Sequence, residues 1–400
     1  MSRPATTGPL SHLTIIDATR VRAGPTAVRF FADLGARVIK VEMPEGAPGA
    51  DDMIGGRMHD LADSENLHRN KESLTLNLKA PEAVEILTRL VAQADVFIEN
   101  FRPDVKYRLG IGPDVLRGAN PRLVYASISG FGQDGPYQCR PGFDSIAQGM
   151  GGLMSITGKP GDGPMRVGIP IADLCAGHFC ALGILAALQE RERSGQGDWV
   201  QTSLLQAQVA MLDFQAAQYT FAGKVPQQVG NEHPMTVPTG VYPTQDGYIN
   251  VAAIGQNMWK RFCRVLDAAH LIDDPRFASD PDRVRHRDAL NRELATLLAH
   301  RTSLDWTERL LEAGVPCGPI YRIDEVFADP QVQHLGLNWP MQHPQAGSVG
   351  VVAQPVIFER HPRPAEARPG PRQGEHTAAI LQEIGLLESR IAELKQRLVV

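Results

Sequence analysis

The residue best placed to do chemistry is Asp173, because Arg166 to Gly177 reads RVGIPIADLCAG and brings one carboxylate to the start of a long apolar segment. From Leu174 to about Leu188 the residues are small and apolar (LCAGHFCALGILAAL), which predicts a buried helix with Asp173 at its N-terminus. The free N–H groups and the dipole at such an end favour an ionised carboxylate. Two compatible roles follow: an N-cap, for which Asp is a preferred residue, and a nucleophile that attacks a carbonyl carbon. Other candidates are scattered. Asp144 follows Gly142-Phe143 and reads as a helix cap, His233 sits in the polar segment GNEHP, and His178, just over one turn past Asp173, reads as a core histidine. Cys139, Cys175, Cys180, Cys263 and Cys317 are odd in number and form no CxxC pair, so they read as reduced thiols.

The elements that must position these residues begin with strand and helix signals in alternation over the first 130 residues, which predicts a doubly wound α/β, Rossmann-like domain with a parallel sheet. Strands are expected at Leu13–Ala18, Arg37–Glu42, Leu74–Leu78, Asp95–Asn100 and Leu123–Ser129, with helices at Gly24–Leu34, Pro81–Gln93 and around Val105–Leu109. The loop Thr19–Pro25 (TRVRAGP) does not fit GxGxxG, so a dinucleotide seat has little support. After the Asp173 helix come a strand at Trp199–Thr202 and one helix from Leu204 to Ala222 that stops at Gly223. A linker and active-site loop then lead to a small α+β domain, residues 241–316, with a hairpin around Gln245-Asp246-Gly247 and helices near Met258–Ala268, Arg285–His300 and Ser303–Ala313. Residues 317–400 return to the large domain, residues 1–205, through a strand pair near Met341–Phe358.

With 400 residues, 43% hydrophobic and 21% charged, the chain is long enough for more than one core. A net charge of −5 argues against a nucleic-acid scaffold while leaving room for a local basic groove that takes an anionic ligand. The first residues lack the apolar region of a signal peptide, and no stretch is read as reaching the ~20 apolar residues of a membrane span. A cytoplasmic protein with no membrane partner is the expectation.

Ten segments in order resemble the family III CoA-transferases, the group of formyl-CoA, carnitine and succinyl-CoA-dependent dicarboxylate transferases. They are DATRVRAGP, LGARVIKVE, NKESLTLNLK, ADVFIENF, YASISGFGQDG, GFDSIAQGMGG, the Asp173 segment, Gly195 to Ser203, GNEHP and GEHT, spanning nearly the whole chain. The resemblance implies that Asp173 attacks an acyl-CoA thioester to give a mixed anhydride, that CoA thiolate then forms an aspartyl-CoA thioester, and that an acceptor carboxylate is activated in reverse. It implies no metal and no tightly bound cofactor, with CoA and acyl-CoA as substrates. It also implies an interlocked, ring-shaped homodimer, which composition alone would not suggest.

Carried over residue by residue, the CoA site involves Arg22, Ala23, Lys40, Met43, Leu76, Asn77, Leu78, Lys79, Asn100, Phe101, Arg102, Arg108 and Arg140. The cations among them match a ligand with several phosphate charges. Met43 departs from the formyl-CoA type, which has an arginine there. Arg22 stands where formyl-CoA transferases have a glutamine near the reacting carboxylate, so it either binds the second carboxylate of a dicarboxylate acceptor or contacts CoA. Asp144 and His233 are the other expected substrate neighbours. The related 2-methylacyl-CoA racemases use a histidine just before the aspartate of the GFD-like segment, whereas this chain has Phe143, which cannot move a proton. Oxalate specificity is disfavoured, because Phe221 to Thr239 carries only Gly223 and Gly230 where the oxalate branch has a run of glycines. The expected acceptor is a C4–C5 dicarboxylate and the expected donor succinyl-CoA.

Overall fold

The computed structural model describes residues 7–48 and 61–400. The chain divides into two compact units: Met1–Leu153, Arg166–Lys224 and Pro330–Val400 form the first, and Met154–Met165 with Val225–Asp329 form the second.

In the first unit, strands β1 (Thr14–Ala18), β2 (Arg37–Glu42), β3 (Glu72–Thr75), β4 (Val96–Glu99), β5 (Val124–Ser129) and β6 (Trp199–Ser203) form a parallel sheet in the order β3-β2-β1-β4-β5-β6. The strand order reverses direction between β1 and β4, which opens a crevice beyond their carboxyl ends, the usual ligand position in such sheets. The helices in chain order are α1 (Ala23–Asp33), α2 (Leu61–His68), α3 (Pro81–Val91), α4 (Pro103–Arg108), α5 (Pro113–Ala119), α6 (Asp144–Met150), the single turn α7 (Leu153–Ile156), which from Met154 on is assigned to the second unit, α8 (Ile171–Ser194), α9 (Leu204–Ala210) and α10 (Asp213–Ala222). Alternation along the strands splits the core in two. Ile15, Val38, Val96, Ile98, Val124 and Ala126 pack with α1, α8 and α9 on one face. Ile16, Ile39, Phe97 and Tyr125 pack on the other with α3, α5 and the C-terminal helices Thr377–Glu383 and Glu388–Gln396.

Several expectations need correction. The Leu204–Ala222 helix is two helices, because Asp213 takes φ 45° at the break; Gly223 does end the second in a left-handed conformation. The third strand is Glu72–Thr75, two residues earlier than the apolar run suggested, since Leu76 and Leu78 lie past its end. The helix around Asp173 is longer at both ends than expected, and it is not buried all round: His178, Phe179 and Leu182 are exposed on one side, so His178 is not a core histidine. That same helix has an 18-residue window of mean hydropathy 1.9, long and apolar enough by composition to cross a membrane. Its inner face packs instead on α1, α9, β5 and β6 through Ala172, Cys175, Ala176, Cys180, Ala181 and Ile184.

The second unit holds an antiparallel three-stranded sheet, Thr239–Pro243, Tyr248–Ala252 and Cys317–Pro319. The expected helix Arg285–His300 is two, Asp280–Arg285 and Arg287–Leu298, broken at His286. They pack with Gln256–Val265 and Ser303–Glu312 over a core that includes Trp259, Phe262, Leu290, Leu294 and Trp306. The strand pair Asn338–His343 and Gly347–Val352 belongs to the first unit.

Candidate active site

Asp173 occupies the third position of α8, inside the first turn, while the N-cap is Pro170, whose side chain makes no cap. The cap role falls to a residue distant in sequence. Asp144, at the first position of α6 and 8% exposed, accepts N–H donors from Ala172 at 2.8 Å and Asp173 at 3.3 Å through Oδ1. One carboxylate thus satisfies two of the free N–H groups of α8 and leaves the other carboxylate unspent. Gln148, one helical turn beyond Asp144, donates to Asp144 Oδ2 at 2.6 Å and accepts from the Val167 N–H at 3.0 Å, which ties α6 to the segment leading into α8. Gln148 escaped the sequence reading; its i, i+4 spacing from Asp144 was the available signal.

Two carboxylates at one helix end cannot both ionise freely. Burial, with the neighbouring Asp144 charge adding to it and Arg22 opposing it, pushes Asp173 up to about 7. The consequence is a carboxylate of raised basicity in a largely desolvated place, half ionised near neutral pH.

Arg22 reaches this site because α1 starts against α8. Gly177 of α8 lies so close to the Ala23 carbonyl that a Cβ there would stand 2.6 Å from its oxygen, which only glycine avoids. The Arg22 guanidinium is engaged by Asp63 of α2 through both of its terminal nitrogens, one of them at 3.1 Å, so an incoming carboxylate would compete with Asp63 for the forked face. Ala23 is the first residue of α1 and is buried.

A cleft of about 590 Å³ opens at the carboxyl ends of β1, β2, β3 and β4. It brings together Met43, Leu76, Leu78, Lys79, Phe101 and Arg108 of the residues expected to hold CoA. Arg20, absent from that expectation, also lines it, with its guanidinium 5.1 Å from the centre of the Phe101 ring. It stands at the end of β1 beside the crevice, and that position was the signal for it. Lys79 is exposed and reaches the Pro48 carbonyl at 3.3 Å, and Arg108 pairs with Asp104 one turn away at 3.2 Å.

The remaining expected contacts lie elsewhere. Lys40 pairs with Glu42 at 2.8 Å and lines a separate cleft of about 880 Å³ with His68, His343 and His376. Asn77 receives the Lys79 N–H and donates its own N–H to the Val399 carbonyl. Asn100 binds the backbone of Arg20, Arg102 precedes α4 as an exposed N-cap, and Arg140 stacks on the Tyr137 ring at 3.7 Å. His233 belongs to the second unit, where its Nδ1 accepts the N–H groups of Met235 and Thr236, so its proton sits on Nε2.

Beneath the cleft a buried charge network joins two loops. Lys106 of α4 pairs with Glu99 at 3.1 Å and also donates to Gln133, while Glu99 accepts from the Phe101 N–H at 2.8 Å and from Ser127 at 2.6 Å. The segment carrying Phe101 and Arg102 is therefore fixed to the loop that leads to Arg140.

The sequence profile of CoA-transferase family III matches residues 10–377. This chain belongs to that family. It is 40% identical to the succinate–glutarate CoA-transferase of Agrobacterium fabrum over 95% of this chain and 96% of the relative. It is 37% identical to the human succinyl-CoA:glutarate CoA-transferase, over 96% of this chain and 88% of that one. Among solved structures, a CaiB/BaiF family protein from Brucella suis superposes with a TM-score of 0.82 at 35% identity, covering 94% of this chain and all of that one. The protein is accordingly a CoA-transferase whose substrates are CoA thioesters and carboxylates, as the ordered segments implied.

Proposed function

We propose that this transferase moves CoA from succinyl-CoA or a similar donor to a C4–C5 dicarboxylate such as glutarate, with Asp173 as the covalent carrier. The Asp173 carboxylate attacks the thioester carbonyl, the C–S bond breaks, and CoA leaves as the thiolate from a mixed anhydride. The thiolate then attacks the Asp173 carbonyl carbon, which releases the donor acid and leaves an aspartyl-CoA thioester. The acceptor carboxylate attacks that thioester and the two steps run in reverse. The observation that carries this reading is the desolvated Asp173 at the start of α8, with Asp144 taking over the capping and Arg22 supplying an opposing charge. The glutarate activity in the names of two relatives at 40% and 37% identity supports the acceptor class.

In this reading the strand-end cleft holds CoA, with Arg20, Lys79 and Arg108 toward its phosphates and Met43, Leu76, Leu78 and Phe101 along its apolar parts. Arg102, Arg140 and Lys40 add charge at longer range, and Arg22 binds the distal carboxylate of the acceptor. The working form is an interlocked homodimer in the cytoplasm. None of the α10 residues is buried within the chain, and Phe221 is 96% exposed, as expected for a helix covered by a second copy. A panel of acyl-CoA donors against succinate, glutarate, oxalate and monocarboxylates, read by the thioesters formed, tests the assignment. Glutaryl-CoA from succinyl-CoA is the expected product, and preference for oxalate would overturn the acceptor class.

A further inference from the structure

The loop between β1 and α1 sends two cations, Arg20 and Arg22, to different places, and it does so through the one residue between them. Val21 has φ 61°, in the left-handed region that a β-branched side chain rarely enters. It separates Arg20, which lines the strand-end cleft against Phe101, from Arg22, which lies against Asp63 and within electrostatic reach of Asp173. A residue in that conformation persists where its surroundings over-determine it. The surroundings here are specific. On the upstream side Asp17, wholly buried, accepts the Thr19 N–H at 3.0 Å and the Thr19 hydroxyl at 2.5 Å, and its other oxygen holds the buried Lys71 ammonium at 2.9 Å. Asn100, at the end of β4, makes a reciprocal pair with the Arg20 backbone: Oδ1 accepts the N–H at 2.9 Å, and Nδ2 donates to the carbonyl at 2.7 Å. On the downstream side the Arg22 carbonyl accepts the first helical bond of α1, from the Thr26 N–H, and α1 is wedged against α8 at Gly177.

The two ends are thus fixed before Val21 is placed, and the single residue between them must turn through the left-handed region to join them. Asn100 contributes two hydrogen bonds to this arrangement, one through each of its side-chain polar atoms, which fixes the plane of its amide against the Arg20 backbone. Asn100 is part of the segment that Glu99 and Lys106 anchor, so the clamp is carried by the floor of the cleft itself.

We infer that Asn100 is a positioning residue for the reaction: by clamping the backbone of Arg20 it holds Val21 in its left-handed turn and so sets both Arg20 in the cleft and Arg22 beside the Asp173 carboxylate. This rests on the reading of Asp173 as the reacting group, and it departs from the expectation that Asn100 touches CoA. The clamp links the binding cleft and the nucleophile through two residues of backbone.

The charged groups facing Asp173 are Asp144 from α6 and Arg22 from this loop; Arg29 of α1 acts on His178 of the same helix. Loss of the Arg22 position removes the side-chain charge that favours the ionised carboxylate, so the acid limb of kcat/KM must move to higher pH. The test is a cycle of Asn100→Ala, Arg22→Gln and the double variant, with kcat/KM for succinyl-CoA followed from pH 5 to 9. The expected result is an upward shift of the limb in Asn100→Ala, a similar shift in Arg22→Gln, and no further shift in the double variant. Val21→Gly, which adopts the same turn without strain, should keep the limb where it is and show that loop composition alone is not at issue. An Asn100→Ala enzyme with a weaker KM for the thioester and an unmoved limb would make Asn100 an ordinary CoA contact and overturn the inference. Asp173→Ala separates the two levels: if it keeps transfer, the limb is not that of Asp173 and both readings fall, whereas an inactive Asp173→Ala beside an unmoved Asn100→Ala limb removes the clamp alone.

Discussion

The start of α8 and the strand-end cleft are built on opposite principles. At the start of α8 a carboxylate from α6 meets one from α8 itself, Asp144 is 8% exposed, and the local electrostatics work against ionisation of Asp173. In the cleft the cations Arg20, Lys79 and Arg108 outnumber the one acidic lining residue, Glu42, and Lys79 and Arg108 are exposed, in a protein with a formal net charge of −5. Burial gives a reacting group its altered reactivity, whereas exposed cations select and orient an anion while each contributes little. Substitutions at the first region should therefore have large effects that alter the pH profile, and substitutions in the second should have small effects that respond to salt.

The largest effect belongs to Asp173→Ala. No other carboxylate lies in the RVGIPIADL segment, so transfer should fall at least about a thousand-fold while circular dichroism and melting show an intact fold. Retention of more than about a thousandth of the activity would remove the contrast between the two regions. Arg22→Gln comes next. Use of glutarate should drop roughly ten- to a hundred-fold, the worth of a charge-assisted pair of about 1.5 to 3 kcal/mol, with much less change for a monocarboxylate of similar length. An equal loss for both acceptors would move Arg22 from the acceptor to the CoA side.

Asp144→Asn sharpens the electrostatic half of the comparison. The amide oxygen can still accept from the Ala172 and Asp173 N–H groups, but the charge that raises Asp173 is gone. A group raised to about 7 loses its ionised form as pH falls, so the wild-type kcat/KM should decline below neutrality, and in Asp144→Asn that decline should begin at lower pH. A limb that stays in place or moves up would contradict the assigned cause. The smallest effect is Arg108→Ala. Its guanidinium is exposed and shared with Asp104, so KM for succinyl-CoA should rise only about two- to five-fold, and the difference from wild type should shrink in about 0.5 M salt.

The two regions also differed in how far they could be read from sequence. Four of the first five strands were legible to within a residue at either end from short apolar or alternating stretches bounded by turn residues, and Arg37–Glu42 was placed to the residue, whereas the third begins two residues before its apolar run. Asp173 stood out through its abrupt junction with a long apolar helix. Its relation to Asp144 did not, because a cap supplied by a residue 29 positions away leaves no local spacing signal. The break at Asp213 was hidden for a similar reason: Leu204 to Ala222 has helical composition throughout, and a positive φ at an aspartate has no pattern in the flanking residues. In the cleft, single residues such as Leu76 or Lys79 carry no chemical signature of their own and were found only through the resemblance. Arg20 and Arg22 show the limit most clearly, since two arginines one residue apart read as one basic loop until Val21 turns them apart.

The proposed transfer requires that Asp173 carry CoA. The direct measurement is peptide mass spectrometry of the protein quenched after brief incubation with succinyl-CoA in the absence of acceptor. The predicted result is a CoA-sized mass increase on the peptide containing Asp173, lost on addition of glutarate and absent from Asp173→Ala. Glutaryl-CoA formation by an enzyme whose Asp173 peptide never carries CoA, or an adduct on another residue, would contradict it.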